Sequence, residues 1–270
     1  MIVFPNVKIN LGLYITEKRP DGFHNLSSLF YPVQWKDALE AITTDNQGLN
    51  FTSSGNPIPG DVSKNLVVKA YHLLSADFRL PGMQVHLHKN LPMGAGLGGG
   101  SSDGAFMLQL INAKAELGLS DAQLQSYAAQ LGSDCPFFIL NRPCLVSGRG
   151  EIIEPISFSL AGHYIVILMP ALTVGTAEAY SWIKPALPSE ALTDILSSPI
   201  SEWRDRLRND FEEPVSVRHP LIRELKELLY AEGAVYASMS GSGAALFGIF
   251  NAQPDLKAFS HYTHFCSRLN

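Results

Sequence analysis

Runs rich in Val, Ile, Leu, Phe and Tyr occupy residues 2–16, 30–42 and 83–88, bounded by turn formers such as Pro20-Asp21-Gly22. They predict strands and a β-rich first half. Apolar positions then recur at helical spacing, predicting helices over residues 63–76, 101–117 and 121–131. Phe106, Leu110 and Ala113 share a face of the second, and Gly132 ends the third. The segment CLVSGRGEIIE at 144–154 returns to strand and turn character. An apolar strand over 164–169 stops at Pro170, and helical stretches follow near 177–183 and 220–231. Strands at 235–239 and 244–250 are joined by a Ser-Gly-Ser-Gly turn, with a last segment near 253–266. A soft boundary between residues 150 and 163 suggests two domains, 1–155 and 156–270. No internal repeat is visible, which argues against a solenoid.

Composition narrows the class. A chain of 270 residues that is 46% apolar can bury one large core or two smaller ones. Its formal charge of −5, with no basic run, gives nothing to draw it onto nucleic acid or an anionic membrane. No stretch approaches the length of an apolar membrane span and the N-terminus lacks a signal-peptide pattern, so a cytoplasmic location is expected. Cys135, Cys144 and Cys266 show no C-x-x-C spacing, so neither a disulfide framework nor a zinc site is indicated. His86 and His88 alternate with Val85 and Leu87 and have no nearby Cys or carboxylate motif, which suits a half-exposed antiparallel strand better than a metal site.

The densest chemistry lies in LPMGAGLGGGSSDGAFML, residues 91–108. Glycines between a strand and a helix leave backbone N–H groups unhindered at the positive end of the helix dipole, where phosphate is the natural guest. Ser101 and Ser102 can also be read as helix N-caps, and Asp103 as a first-turn partner of the dipole. No Lys follows Gly100, so this is not a Walker A loop. Gly94, Gly96 and Gly99 satisfy G-x-G-x-x-G, yet a dinucleotide-binding unit also needs a buried parallel strand before the loop and a strand after its helix, and neither is expected here.

The run PMGAGLGGGSSD, residues 92–103, resembles the ATP-phosphate loop of the GHMP kinase superfamily. PNVKINLGL near the N-terminus and SMSGSGAALFGIF at 238–250 occur in the matching order. Within the superfamily, KINLGLYITEKRPDGFHNLSSLF, LGSDCPFF and SGRGE are similar to the branch acting on 4-diphosphocytidyl-2-C-methyl-D-erythritol, and the similarity spans nearly the whole chain. The resemblance implies an α+β, two-domain GHMP kinase fold with its active site in the cleft between domains. It implies ATP as phosphoryl donor with Mg²⁺, a small-molecule acceptor phosphorylated on its 2-hydroxyl, and a place in the non-mevalonate isoprenoid pathway. Lys8 and Asp134 match the catalytic pair. Pro92, Met93, Gly94, Ala95, Gly96, Leu97, Gly98, Gly99, Gly100, Ser101 and Ser102 match the ATP loop. Phe23 and His24 fall where the branch grips cytosine, with Phe23 in place of a more usual Tyr, and Tyr180 is a candidate for the other face of the base.

Residue chemistry fits these roles. Phosphoryl transfer asks mainly for positioning and charge neutralisation. A carboxylate such as Asp134 can orient a poorly acidic alcohol and take its proton, and Lys8 can keep it ionised. The same residues also have structural readings: Asp134 as the cap of a turn at Cys135-Pro136, and Lys8 as a snorkelling strand residue. Asn209, Asp210 and Glu212 suit caps or substrate contacts equally, and residues 240–243 a hairpin turn or a second wall of the site. No carboxylate cluster announces a metal. Competing functions are a GHMP kinase for homoserine, mevalonate or a sugar, a dinucleotide oxidoreductase, and a non-catalytic nucleotide-binding module.

Overall fold

Proline and a buried aspartate cut what reads as continuous strand into separate pieces. The computed structural model describes all residues, Met1–Asn270. Pro5 separates β1 (Ile2–Val3) from β2 (Asn6–Lys18), and Asp37 separates β3 (His24–Lys36) from β4 (Ala38–Thr44). The two breaks are joined, since Asp37 N–H donates to the Pro5 carbonyl at 2.8 Å. Next come β5 (Leu49–Gly55), α1 (Leu66–Asp77), β6 (Gly82–Lys89), α2 (Gly99–Lys114), α3 (Asp121–Leu131) and α4 (Cys135–Leu140). The remainder runs β7 (Cys144–Ser147), β8 (Ile152–Pro155), β9 (Tyr164–Met169), α5 (Thr176–Ser181), α6 (Leu192–Ser197), α7 (Glu212–Arg218), α8 (Leu221–Ala231), β10 (Tyr236–Met239), β11 (Leu246–Phe250) and β12 (Thr263–Arg268).

One compact unit comprises Met1–Val7, Gln34–Met93 and Gly98–Arg142. Its sheet has the order β1-β4-β6-β5, and α1, α2, α3 and α4 pack on one another. Strand β6 is antiparallel to β4 but parallel to β5, a neighbour the alternation did not reveal. Val85 and Leu87 are buried while His86 and His88 turn to hydroxyls of Thr52 and Ser54, so the two faces differ as a half-buried strand requires. Helix α1 starts later than expected, because the Asn65 side chain caps it by accepting from Val67 N–H at 2.9 Å. Ser120 and Gln123 form a capping box at the start of α3.

The second unit comprises Lys8–Val33, Gly94–Leu97 and Pro143–Asn270. It holds the sheets β2-β3-β7-β8 and β10-β11-β9-β12. Strand β9 is central and buried, paired on both sides by antiparallel partners, as its uninterrupted Ile-Val-Ile-Leu run suits. Ile222, Leu225 and Leu229 of α8 are buried, at the spacing of one helix face, and α8 packs on β10 and β11. The last segment is strand only over β12, with a short helical turn at Lys257–Phe259 before it.

Candidate active site

Helix α2 opens on Gly98, whose φ of +73° is the left-handed conformation that glycine adopts without strain. No side chain caps this terminus. Ser102 N–H is the first to bond back into the helix, to the Gly98 carbonyl at 2.9 Å, so the amides of Gly99, Gly100 and Ser101 have no partner within the helix. Ser101 and Ser102 therefore lie inside the first turn and are not N-caps, contrary to the sequence reading. A Cβ built on Gly100 would meet nothing within 4 Å. Uncapped amides at the positive end of a helix of 16 residues have the chemistry to hold an anion.

Asp103 departs further from expectation. It is buried, and its Oδ2 accepts from Lys89 Nζ at 2.7 Å. Lys89 Nζ also donates to Asp37 Oδ2 at 2.5 Å, while Asp37 Oδ1 accepts from the N–H groups of Asn90 and Leu91 at 2.6 and 2.7 Å. Burial pushes the Asp103 carboxyl up to about 8, opposed by the Lys89 ammonium and assisted by the Asp37 charge. Nothing in the periodicity marked Lys89 or Asp37 as core residues.

Asp134 stands at the N-cap position of α4 in helical conformation, and its side chain makes no cap hydrogen bond. Pro136 near the start of α4 lacks one of the two N–H groups a cap could serve. Cys135 meets the Ser101 side chain, so the start of α4 lies against the first turn of α2. Burial pushes the Cys135 thiol up to about 12, so it is an inert core group.

In the second unit, Lys8 and Asn10 share a face of β2, as residues two apart on a strand must. Lys8 is buried, with Nζ donating to Asn10 Oδ1 at 2.6 Å and lying 4.5 Å from the Phe30 ring centroid. Asn10 Oδ1 also accepts from Gly241 N–H at 2.9 Å and the Ser240 hydroxyl at 3.4 Å. Ser240 Oγ donates to the Gly96 carbonyl at 3.0 Å, and Lys8 N–H to the Leu97 carbonyl at 2.9 Å. Lys8, the Gly94–Leu97 segment and the turn after β10 are thus tied through Asn10, a residue the sequence reading passed over although its place two residues from Lys8 was the signal. Asn209 holds that turn from the other side, donating to the carbonyls of Met239 and Gly241 at 2.7 and 2.8 Å. Asp210 Oδ2 accepts from Ile15 N–H and Glu212 Oε2 from Met239 N–H, both at 2.8 Å. These three side chains brace the backbone.

Phe23 is 54% exposed at the tip between β2 and β3, with the Arg149 guanidinium 4.8 Å from its ring centroid. Beside it, His24 stacks directly on Tyr180, which meets Phe211 edge-on. Burial, then the Lys18 charge, hold the His24 imidazole below its ordinary value, favouring the neutral ring. The three aromatic candidates Phe23, His24 and Tyr180 lie in one unit, but a base does not fit between His24 and Tyr180 as they stand. No three His, Cys, Asp or Glu side chains converge as a metal site.

Known proteins share the sequence and the fold of this chain. The GHMP kinase N-terminal domain matches residues 65–142 and the GHMP kinase C-terminal domain residues 191–262. The 4-diphosphocytidyl-2-C-methyl-D-erythritol kinase of Bacteroides thetaiotaomicron is 51% identical over 95% of this chain and 94% of its own. That of Bacteroides fragilis is 48% identical over 98% of both. A crystal structure of 4-(cytidine 5'-diphospho)-2C-methyl-D-erythritol kinase superposes with a TM-score of 0.85 at 30% identity, covering 100% of this chain and 99% of that one. The chain belongs, within the GHMP kinases, to the 4-diphosphocytidyl-2-C-methyl-D-erythritol kinase family. No helix is long and apolar enough to cross a membrane.

Proposed function

We propose that this chain transfers the γ-phosphoryl group of ATP to the 2-hydroxyl of 4-diphosphocytidyl-2-C-methyl-D-erythritol, giving ADP and the 2-phosphate in the non-mevalonate isoprenoid pathway. Family membership supports the substrate, and the uncapped, glycine-fronted terminus of α2 is the observation that carries the phosphate site. Residues Pro92 to Ser102 wrap the triphosphate. The backbone amides of Gly99, Gly100 and Ser101 neutralise charge that grows on the phosphoryl oxygens during transfer. ATP would bring Mg²⁺, whose charge would help neutralise the phosphates during transfer.

Lys8 and Asp134 form the catalytic pair. Asp134, not engaged in capping α4, orients the tertiary alcohol and accepts its proton late in transfer. Lys8, held by Asn10, keeps the acceptor oxygen and the γ-phosphate in line. Phe23, His24 and Tyr180 form the wall for the cytosine. The halves 1–155 and 156–270 carry the ATP loop and the second glycine turn respectively, supported by one family match falling within each. With a net charge of −5 no nucleic-acid partner is expected, and a cytoplasmic location suits an ATP-dependent step on a nucleotide-linked substrate. A coupled ADP-release assay across the cytidine substrate, mevalonate, homoserine and galactose tests the reading. Faster turnover with any of the last three overturns it.

A further inference from the structure

The buried cluster of Lys89, Asp37 and Asp103 takes no part in the chemistry above, yet it touches both ends of the glycine loop. On the strand side, Asp37 Oδ1 grips two successive amides, Asn90 and Leu91, where β6 runs out into the loop. On the helix side, Asp103 belongs to α2, just past the loop. Lys89 Nζ joins the two, with donor–acceptor distances of 2.5 Å to Asp37 and 2.7 Å to Asp103. A Cβ on Gly99 would come 3.4 Å from Lys89 Nζ and 3.4 Å from Leu91, so the first residue of α2 rests on this ammonium. Asn56 N–H donates to the Lys89 carbonyl at 2.7 Å, holding the strand end from its other edge.

Two features distinguish this from an ordinary core ion pair. Asp103 Oδ1 is buried with no hydrogen-bond partner, although buried carboxylates normally satisfy both oxygens. Two carboxylates also share one ammonium, and full ionisation would leave net negative charge beneath an anion site. Replacing such a group with apolar side chains often costs nothing in stability, so stability alone does not account for the cluster.

We propose that Lys89, Asp37 and Asp103 are positioning residues for the phosphate loop, with the Lys89–Asp103 contact setting where the first turn of α2 stands relative to the strand that feeds it. This rests on the reading of Pro92 to Ser102 as the ATP loop. The cluster acts through the backbone amides and does not touch phosphate. Displacing those amides weakens ATP binding without disturbing the cytidine site.

Asp103→Leu isolates the tie, because it keeps the γ-branched shape and removes the acceptor on α2 while Lys89 retains Asp37. Asp103→Asn keeps an acceptor for Lys89. In the full chain, Asp103→Leu raises the KM for ATP and the Kd of a non-hydrolysable ATP analogue about tenfold or more, with the KM for the cytidine substrate and the Tm little changed. Asp103→Asn restores ATP affinity to within about twofold of the original chain. If Asp103→Leu does not fold, Asp103→Ala carries the same comparison. Failure of both to fold makes the cluster a requirement of the core and overturns the proposal, as does an equal rise in both KM values. Gly98→Val run alongside separates the two readings. If it weakens ATP binding while Asp103→Leu does not, the loop stands and the positioning role falls. If folded Gly98→Val binds ATP normally, both fall.

Discussion

His24 lies flat against Tyr180, with ring centroids 4.9 Å apart and planes inclined by 26°. A base sandwiched between two rings needs them about 7 Å apart, two van der Waals separations. On the proposed reading, cytosine meets an assembled His24–Tyr180 stack from one side, with the exposed Phe23 beside it. Removing Tyr180 takes away the support that orients His24. Tyr180→Ala is expected to raise the KM for the cytidine substrate by about 10- to 100-fold, the value of roughly 1–3 kcal/mol for one base-stacking surface, while ATP affinity holds. Steady-state kinetics with each substrate varied in turn checks this. An unchanged cytidine KM removes the stack from base recognition.

Gly96 and Gly100 predict different outcomes for the same substitution. At Gly96, φ is +74° and a Cβ would come 2.1 Å from the Ser240 carbonyl oxygen, so Gly96→Ala strains the loop against the turn and lowers Tm. At Gly100 a Cβ meets open space in the first turn of a helix, where Gly to Ala commonly gains about 0.4–1 kcal/mol. Gly100→Ala should hold or raise Tm yet weaken ATP binding several-fold, since the proposed loop reading puts phosphate in that open space. A calorimetric titration with an ATP analogue, beside a melting curve, reads both. Unchanged affinity at Gly100→Ala would place the phosphates elsewhere.

Asn10 is the point through which Lys8 and the turn after β10 are held together. Asn10→Leu takes from Lys8 Nζ its bond to Asn10 Oδ1 and leaves Gly241 N–H without its buried acceptor, a loss of about 1–3 kcal/mol for that amide. Expected are a lower Tm and a kcat reduced by about 10- to 100-fold through misplacement of the lysine. Asn10→Asp keeps the acceptor and loses only the bond to Ser28 Oγ, so it should recover most of the kcat. Equal kcat losses in the two variants would separate Asn10 from the positioning of Lys8.

Asp103 carries a pH dependence of known sign. Its carboxyl is raised to about 8 in the folded chain, from an ordinary value of 3.8, and the charged groups facing it are Lys89 and Asp37. Between those two pH values the folded state binds this proton and the unfolded state does not, so the contribution to stability is present at low pH and lost as pH rises toward 8. The original chain should therefore lose Tm relative to Asp103→Asn between pH 5 and pH 8 and level off above. A Tm difference that stays flat over that range would show that Asp103 is already ionised in the fold.

Where burial and pattern agree, the elements could be read directly. The run Ile165 to Leu168 is buried on both faces and became the central strand β9, and α3 was read from its helical spacing and the Gly132 that ends it. Strand β5 went unread because Leu49 and Phe51 are its only apolar members and its other residues lie at a sheet edge. Helix α4 escaped because CPFFIL is buried almost throughout, and an apolar run that short carries no period. The glycine loop was legible because its function demands an unusual composition. Its supports were not: Lys89 and Asp37 are ordinary charged residues in sequence, and only the fold shows that each is the other's reason for being buried.

Asp134 was open to a capping and a catalytic reading, and α4 does not use it as a cap. A cap would accept from the first amides of α4, but its side chain makes no such bond, and Pro136 removes one of the donors. Asp134→Asn is close to isosteric and caps helices about as well, so the start of α4 has no reason to change. What it removes is the negative charge and the basic oxygen. General-base loss costs about 10²- to 10⁴-fold in rate, and kcat should fall by that much, with the Kd for ATP and the Tm nearly constant. An orienting role adds a second signature, because the amide can still position the alcohol by hydrogen bonding. Asp134→Ala should therefore fall below Asp134→Asn in kcat. Near-normal kcat in the Asn variant would take Asp134 out of the reaction, and a Tm loss large enough to explain the lost activity would make it a structural residue after all.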